Sequence, residues 1–162
     1  MTYTKKSITL KPTEIGDLET LFRFQIDKES AYLAAFMPKD YDSKIAYVAK
    51  YTKLLKNPNV NNQTIFIHNT IVGSIAKFMI QDNPEITYWI DKKFWGKGIG
   101  TKALKEFLRI ETIRPIFARV AFDNFGSQKI LEKCGFIKID IDSGFASARQ
   151  KVIEEFVYKL EK

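Results

Sequence analysis

Seven residues, Trp95-Gly96-Lys97-Gly98-Ile99-Gly100-Thr101, constrain this chain more than any other stretch. They follow a β-rich run, Glu85 to Ile90, and lead into Ile99, Ala103, Leu104, Phe107 and Leu108 at helical spacing, which places them at the turn from a strand into a helix. Alternate glycines open left-handed backbone conformations and let a ligand approach the main chain closely. The first turn of a helix leaves its N–H groups without intrahelical partners and carries the positive end of the helix dipole. Such a turn is built to hold an anion, a phosphate above all; the plainer alternative is a tight turn that uses glycine only for its φ.

Two common phosphate motifs fail on spacing. A dinucleotide fingerprint needs G-x-G-x-x-G in an early βαβ unit and an acidic residue about 20 positions on. Here the glycines run G-x-G-x-G and follow three β-rich runs. A P-loop needs Gly-Lys followed by Ser or Thr, and Lys97 is followed by Gly98.

The rest of the chain reads as a single domain, residues 1–162, of α/β (α+β) class. It has 45% hydrophobic residues, and only 8 Gly and 5 Pro, which suits one packed core and excludes collagen-like or disordered character. Cys134 has no intrachain partner, and one Cys with one His makes no zinc site, so neither a disulfide nor a structural metal is expected. Met1 to Lys11 is polar and charged, unlike an export signal, and no run approaches the roughly 20 apolar residues of a membrane span. The expected location is the cytoplasm. Twenty-six Lys and Arg against 19 Asp and Glu give a net charge of +7, which suits nucleic acid, a membrane surface, an acidic substrate or an anionic cofactor, and as readily plain solubility.

Ile8 and Leu10 before Pro12 predict a first strand, and Leu18, Leu21, Phe22, Gln25 and Ile26 a first helix. Ser43 reads as the N-cap of a second helix with Ile45, Val48, Ala49, Thr52 and Leu55 on its apolar face, ending before Pro58. Residues 30–41 between them form a loop or a short helix. Thr64 to His68, Ile71 to Ile80 and Glu85 to Ile90 form an antiparallel meander. A helix from the glycine cluster and a strand at Ile116 to Phe122 complete a crossover between parallel strands. Asn124 to Cys134 is a helix stopped by Gly135; Ile137, Ile139 and Ile141 alternate as in a strand, Glu155 to Leu160 is the last strand, and residues 142–153 stay unassigned.

Two segments carry a family resemblance. Glu85-Ile86-Thr87-Tyr88-Trp89-Ile90-Asp91 with Phe94 to Leu104 resembles the acyl-CoA-binding motif of the GNAT superfamily of N-acetyltransferases. Asn124-Phe125-Gly126-Ser127 with the ending Glu132-Lys133-Cys134-Gly135-Phe136 is similar to the superfamily's second motif. The wording of both is closest to the RimJ/RimL-type branch, and Trp95, where the wider superfamily has Gln or Arg, suits that branch. The resemblance implies the GNAT fold, a mixed and mostly antiparallel sheet flanked by helices on both faces, and acetyl-CoA as cosubstrate without a metal. It also implies that the main chain of Gly96, Lys97, Gly98, Ile99, Gly100 and Thr101, beside Trp95, holds the coenzyme A pyrophosphate. The strand at Trp89, Ile90 and Asp91 would bond the pantetheine and the thioester carbonyl, with Asn124 a further contact.

Acetyl transfer from a thioester to an amine needs a placed electrophile, a neutral amine and a partner for the departing sulfur. Glu85 is the candidate base, against a solvated carboxylate at a strand end. Tyr88 and Trp89, as neighbours in a strand, point to opposite faces, so one lines the acyl channel at most. Where many GNAT enzymes carry a tyrosine acid, seven residues after the motif's Asn, this chain has Leu131. Ser127 is the substitute the resemblance offers, against an ordinary helical serine, and capping alone accounts for Asn124. Lys92, Lys93 and Lys97 either attract phosphates or form a solvated rim; Cys134 reads as packing and His68 has no role. The expected activity is N-acetylation of a primary amine, on a small molecule or a protein N-terminus, by direct attack. The alternatives are a CoA-binding sensor and, less favoured, a basic nucleic-acid binder. Neither a membrane nor nucleic acid is expected as a partner, and a homodimer is left open.

Overall fold

The computed structural model describes residues 7–162, so the first part of the polar N-terminal run lies outside the described residues. Seven strands form one sheet: β1 (Ile8–Pro12), β2 (Asn61–Ile67), β3 (Thr70–Ile80), β4 (Asn83–Ile90), β5 (Ile116–Ala121), β6 (Ile137–Ala146) and β7 (Lys151–Leu160). Their spatial order is β1-β2-β3-β4-β5-β7-β6. Every neighbouring pair is antiparallel except β4 and β5. The meander and the crossover both form as the periodicity predicts, and residues 142–153, unassigned from sequence, make the β6–β7 hairpin.

Two helices of the crossover half, α4 (Ile99–Ile110) and α5 (Phe125–Lys133), cover one face. The main core lies beneath them, where Ile99, Ala103, Leu104 and Phe107 meet Ile65, Ile75, Ile86 and Tyr158. On the other face sit α1 (Leu18–Gln25), α2 (Lys28–Ala34) and α3 (Lys44–Leu54). Leu18, Leu21 and Phe22 pack there against Tyr47, as a 3.6-residue period requires. Asp27 and Ser43 cap α2 and α3 by accepting from the Ser30 and Ala46 amides, each cap contributing about 1 kcal/mol.

One helix face differs from expectation. Ile45 is 85% exposed, and Tyr47 is the buried residue of α3. Tyr47 and Tyr51 stand one turn apart and stack at 4.5 Å between ring centroids, with Phe22 at 5.4 Å from Tyr47, so aromatic packing sets the helix rotation. The Ile137, Ile139 and Ile141 alternation marks a strand, yet these side chains are 69%, 51% and 51% exposed. β6 is the outermost strand, and a bulge between Lys138 and Asp140 breaks its register.

Candidate active site

The glycine turn takes the form its sequence requires. Gly96 and Gly98 have φ of +74° and +77°, and a Cβ at either would touch nothing, so these glycines serve backbone conformation and leave an open surface above the turn. Gly98 caps α4, whose first internal bond is Lys102 N–H to the Gly98 carbonyl at 3.1 Å. The amides of Ile99, Gly100 and Thr101 therefore precede the helical ladder and are available to an anion. Trp95 tethers this cradle to the sheet, its indole Nε1 donating to the Ile90 carbonyl at 2.9 Å.

From the cradle a cleft of about 630 Å³ runs between β4 and α5 to Ser127. Its walls include Trp95, Gly96, Gly98, Ile99, Gly100 and Thr101 at one end, and Tyr88, Trp89, Ile90 and Asn124 along its length. Lys129 and Lys133 of α5 bring positive charge to it. Lys97 and Asp91 do not line it. The Lys97 ammonium lies 5.6 Å from the Phe94 ring centroid, and the Asp91 carboxylate accepts from the Lys93 amide at 3.3 Å. Lys92 is paired with Glu29 at 2.6 Å on the surface.

Strand β4 is open on one side. It meets β5 through a single paired position, Glu85 with Phe117, and the two strands then diverge. The Asp91 amide donates to the Val72 carbonyl at 2.8 Å. Antiparallel pairs alternate between bonded and non-bonded positions, so Trp89, like Asp91, turns its main-chain groups to β3. Those of Tyr88 and Ile90 face the gap, and with the Ile90 carbonyl engaged by Trp95, the Tyr88 groups and the Ile90 N–H are the ones presented to the cleft.

A second cavity, about 340 Å³, meets the first at Ala34, Tyr88, Trp89, Asn124 and Ser127. Phe36, Tyr41, Tyr47 and Tyr51 give it an aromatic wall beside Met37, and Glu85, Arg119 and Glu155 line it as well. Glu85 is no solvated strand end: it is 8% exposed. Burial raises its carboxyl pKa above the ordinary range; the Arg119 guanidinium, 3.5 Å away, opposes the shift, and the Glu155 carboxylate adds to it. Arg119 also bonds Asp142 at 3.2 Å and Glu155 at 3.1 Å, which places three carboxylates around one cation beside this cavity.

Helix α2 serves both cavities. Leu33 and Ala34 wall the cleft, and the chain then reverses at Ala35, with φ of +63°, so that Phe36 and Met37 wall the second cavity. The Phe36 amide donates to the Ala34 carbonyl at 2.7 Å, closing a γ-turn of the strained sense. Arg149 fixes this element. Its guanidinium grips Asp123 through bonds of 2.6 and 2.7 Å, donates to the Tyr32 carbonyl at 2.8 Å and lies 4.2 Å from the Tyr32 ring centroid. Asn124, which caps α5 by accepting from the Ser127 amide at 3.3 Å, also donates to the Leu33 carbonyl at 3.3 Å. Neither Arg119 nor Arg149 stands in a local motif, and only their partners distant in the chain reveal them.

Ser127 lies where the two cavities join, its Oγ 2.7 Å from the Tyr88 hydroxyl, which also donates to the Ser127 carbonyl at 3.0 Å. Leu131, 1% exposed, occupies the following turn of α5 with a side chain that has no proton to give. Among the described residues no group of three or more His, Cys, Asp or Glu is placed to hold a metal, and no helix is long and apolar enough to cross a membrane.

A helix-capped anion cradle, a strand splayed from its neighbour and a cleft between them make a site for an extended ligand with an anionic end. Residues 7–137 match the acetyltransferase (GNAT) domain family, and the chain belongs to that family. As a member of that family it is an N-acetyltransferase. It is 24% identical to the uncharacterized N-acetyltransferase p20 of Bacillus licheniformis, over 99% of this chain and 95% of that one. The fold matches the spermidine N-acetyltransferase of Vibrio cholerae in complex with CoA and spermine, with a TM-score of 0.82, 17% identity and 95% of each chain covered. It also matches RimL, a ribosomal L7/L12 alpha-N-protein acetyltransferase in complex with coenzyme A, with a TM-score of 0.77, 17% identity and coverage of 95% and 93%.

Proposed function

We propose that this acetyltransferase acts on the primary amine of a small molecule or a protein N-terminus, with acetyl-CoA and the amine bound together. The observation that carries the proposal is the junction of the two cavities at Tyr88, Trp89, Asn124 and Ser127, with a cradle of free amides beyond one end and a buried carboxylate in the other cavity. Acetyl-CoA supplies a thioester, whose acyl carbon takes the amine nitrogen and whose sulfur departs.

In this reading the amides of Ile99 to Thr101 hold the pyrophosphate, and the Tyr88 and Ile90 main chain orients the arm that carries the thioester. Unpaired backbone donors fixed in the gap polarise a carbonyl better than mobile solvent does. Glu85 takes a proton from the incoming ammonium, and its raised pKa suits that work near neutrality. Ser127 Oγ donates a hydrogen bond to the leaving sulfur. A thiol has a pKa near 8.5, so its anion near pH 7 needs that bond more than it needs a strong acid, which accommodates Leu131. The carboxylates around Arg119 favour a cationic acceptor over an anionic one. The continuous sheet supports one domain, and the unpaired Cys134 is compatible with the cytoplasm.

The test is release of free thiol from acetyl-CoA across a panel of amines: polyamines, amino acids, aminoglycosides and peptides with free N-termini. Release that depends on one of the amines supports the proposal. Tight coenzyme binding with no release across the panel overturns it.

A further inference from the structure

We infer that Tyr88 is a positioning residue for the acetyl-transfer step, aiming the Ser127 hydroxyl at the leaving sulfur. The inference rests on the reading of Ser127 given above and assigns a task to the residue behind it.

Tyr88 projects from β4 toward α5, and its hydroxyl meets two atoms of one residue: Ser127 Oγ at 2.7 Å and the Ser127 carbonyl at 3.0 Å. A phenol has one proton, so two arrangements are open to this group. In the first, which satisfies both contacts, Tyr88 donates to the carbonyl and Ser127 spends its own proton on the phenol oxygen. In the second, Tyr88 gives up the bond to the carbonyl and donates to Ser127 Oγ, and the serine proton is free to point into the cleft. A sulfur gathering negative charge in the cleft is a stronger acceptor than a neutral phenol and selects the second arrangement. The exchange moves two hydroxyl rotors and no heavy atom. A chain of two hydroxyls also polarises the outer one, which strengthens its bond to the sulfur.

Burial keeps Tyr88 protonated throughout the working pH range, so it orients and never becomes the acid itself. Bond changes elsewhere are unaffected: nitrogen bonds to the acyl carbon, the carbon–sulfur bond breaks with its electron pair on sulfur, and the two protons lost by the ammonium go one to Glu85 and one to the thiolate. Without the phenol, the Ser127 hydroxyl is free to turn to a preceding carbonyl, as helical serines commonly do.

The experiment compares wild type, Tyr88→Phe, Ser127→Ala and the double variant, each checked for an unchanged melting temperature. Two quantities are measured: kcat with KM for acetyl-CoA, and the thiol pKa of enzyme-bound CoA from its ultraviolet thiolate absorbance. Expected are a kcat loss of about tenfold in Tyr88→Phe with KM within twofold, a larger loss in Ser127→Ala, and a double variant no slower than Ser127→Ala. The bound thiol pKa should rise in both single variants, by about the unit that corresponds to a tenfold effect. A Ser127→Ala enzyme with normal kcat and thiol pKa removes the reading of Ser127, and this inference with it. Loss in Ser127→Ala beside a normal Tyr88→Phe overturns the inference alone, as do independent, multiplying losses in the double variant.

Discussion

At the scale of single residues, Glu85 is a carboxyl whose ionised form burial disfavours, which suits the base proposed for it. Its folded-state pKa is raised, so the favourable contribution of its neutral form is present at low pH and is lost as pH rises through that pKa. Near neutrality the ionised carboxylate therefore costs the fold stability. Glu85→Gln is expected to lower kcat by about 10²-fold or more, the usual worth of a general base, and to remove the acid limb of the kcat/KM profile. The same variant should melt above wild type at neutral pH, with the difference closing below about pH 4.3, the ordinary glutamate value. A parallel pH-rate and thermal series checks both halves, and an equal melting temperature at every pH would contradict the desolvation argument. Glu85 and Ser127 were legible as candidates because the residues around them read as motifs. Their environment was not, since Arg119 and Glu155 reach Glu85 across sequence separations of 34 and 70, and Tyr88 reaches Ser127 across 39, which no local pattern records.

At the scale of elements, the cradle was readable because glycine placement and the start of a helical period are local properties. Gly98→Ala tests that directly. An alanine at φ of +77° costs about 1–2 kcal/mol, which lowers the melting temperature by a few degrees, and its distortion falls on the amides proposed to hold the anion. Calorimetry with CoA should show affinity falling more than stability alone explains. Helix α2 was half legible: residues 30–41 carried no clear period, because α2 is only Lys28–Ala34 and is held by contacts rather than by a wide apolar stripe. Its principal tie comes from Arg149, 117 residues away and 1% exposed at the side chain. Arg149→Ala leaves Asp123 without its bidentate partner and Tyr32 without its clamp, so urea unfolding should report a loss of about 3 kcal/mol, the low end for a broken buried pair because Asp123 is 28% exposed. Loosening the wall at Leu33 and Ala34 should also raise KM for acetyl-CoA. A Lys at 149 should restore little, since an ammonium cannot match the two carboxylate oxygens together.

At the scale of the whole molecule, the crossover between β4 and β5 gives the sheet its one parallel pair, and the divergence of that pair makes the gap in which both cavities end. The meander and the crossover were predictable from β-rich runs and a crossover helix; the place of β7 between β5 and β6 was not, nor was the gap, which depends on how far two strands separate after Glu85. This architecture favours simultaneous occupancy, since α4 and α5 wall one cavity, α3 helps wall the other, and neither needs to empty before the other fills. A covalent relay would need an activated nucleophile at the junction; Ser127 stands there, but the side-chain group its hydroxyl meets is the Tyr88 phenol, which is no base. Cys134 lines neither cavity, its thiol sits 3.7 Å from the Thr101 carbonyl, and burial raises its pKa, all of which make it unreactive. Initial rates measured against both substrates should therefore give intersecting double-reciprocal lines, and Cys134→Ser should keep kcat within about twofold. Parallel lines joined to an inactive Cys134→Ser variant of normal melting temperature would mean that the acetyl group rests on the enzyme, and that the gap between β4 and β5 serves two half-reactions in turn.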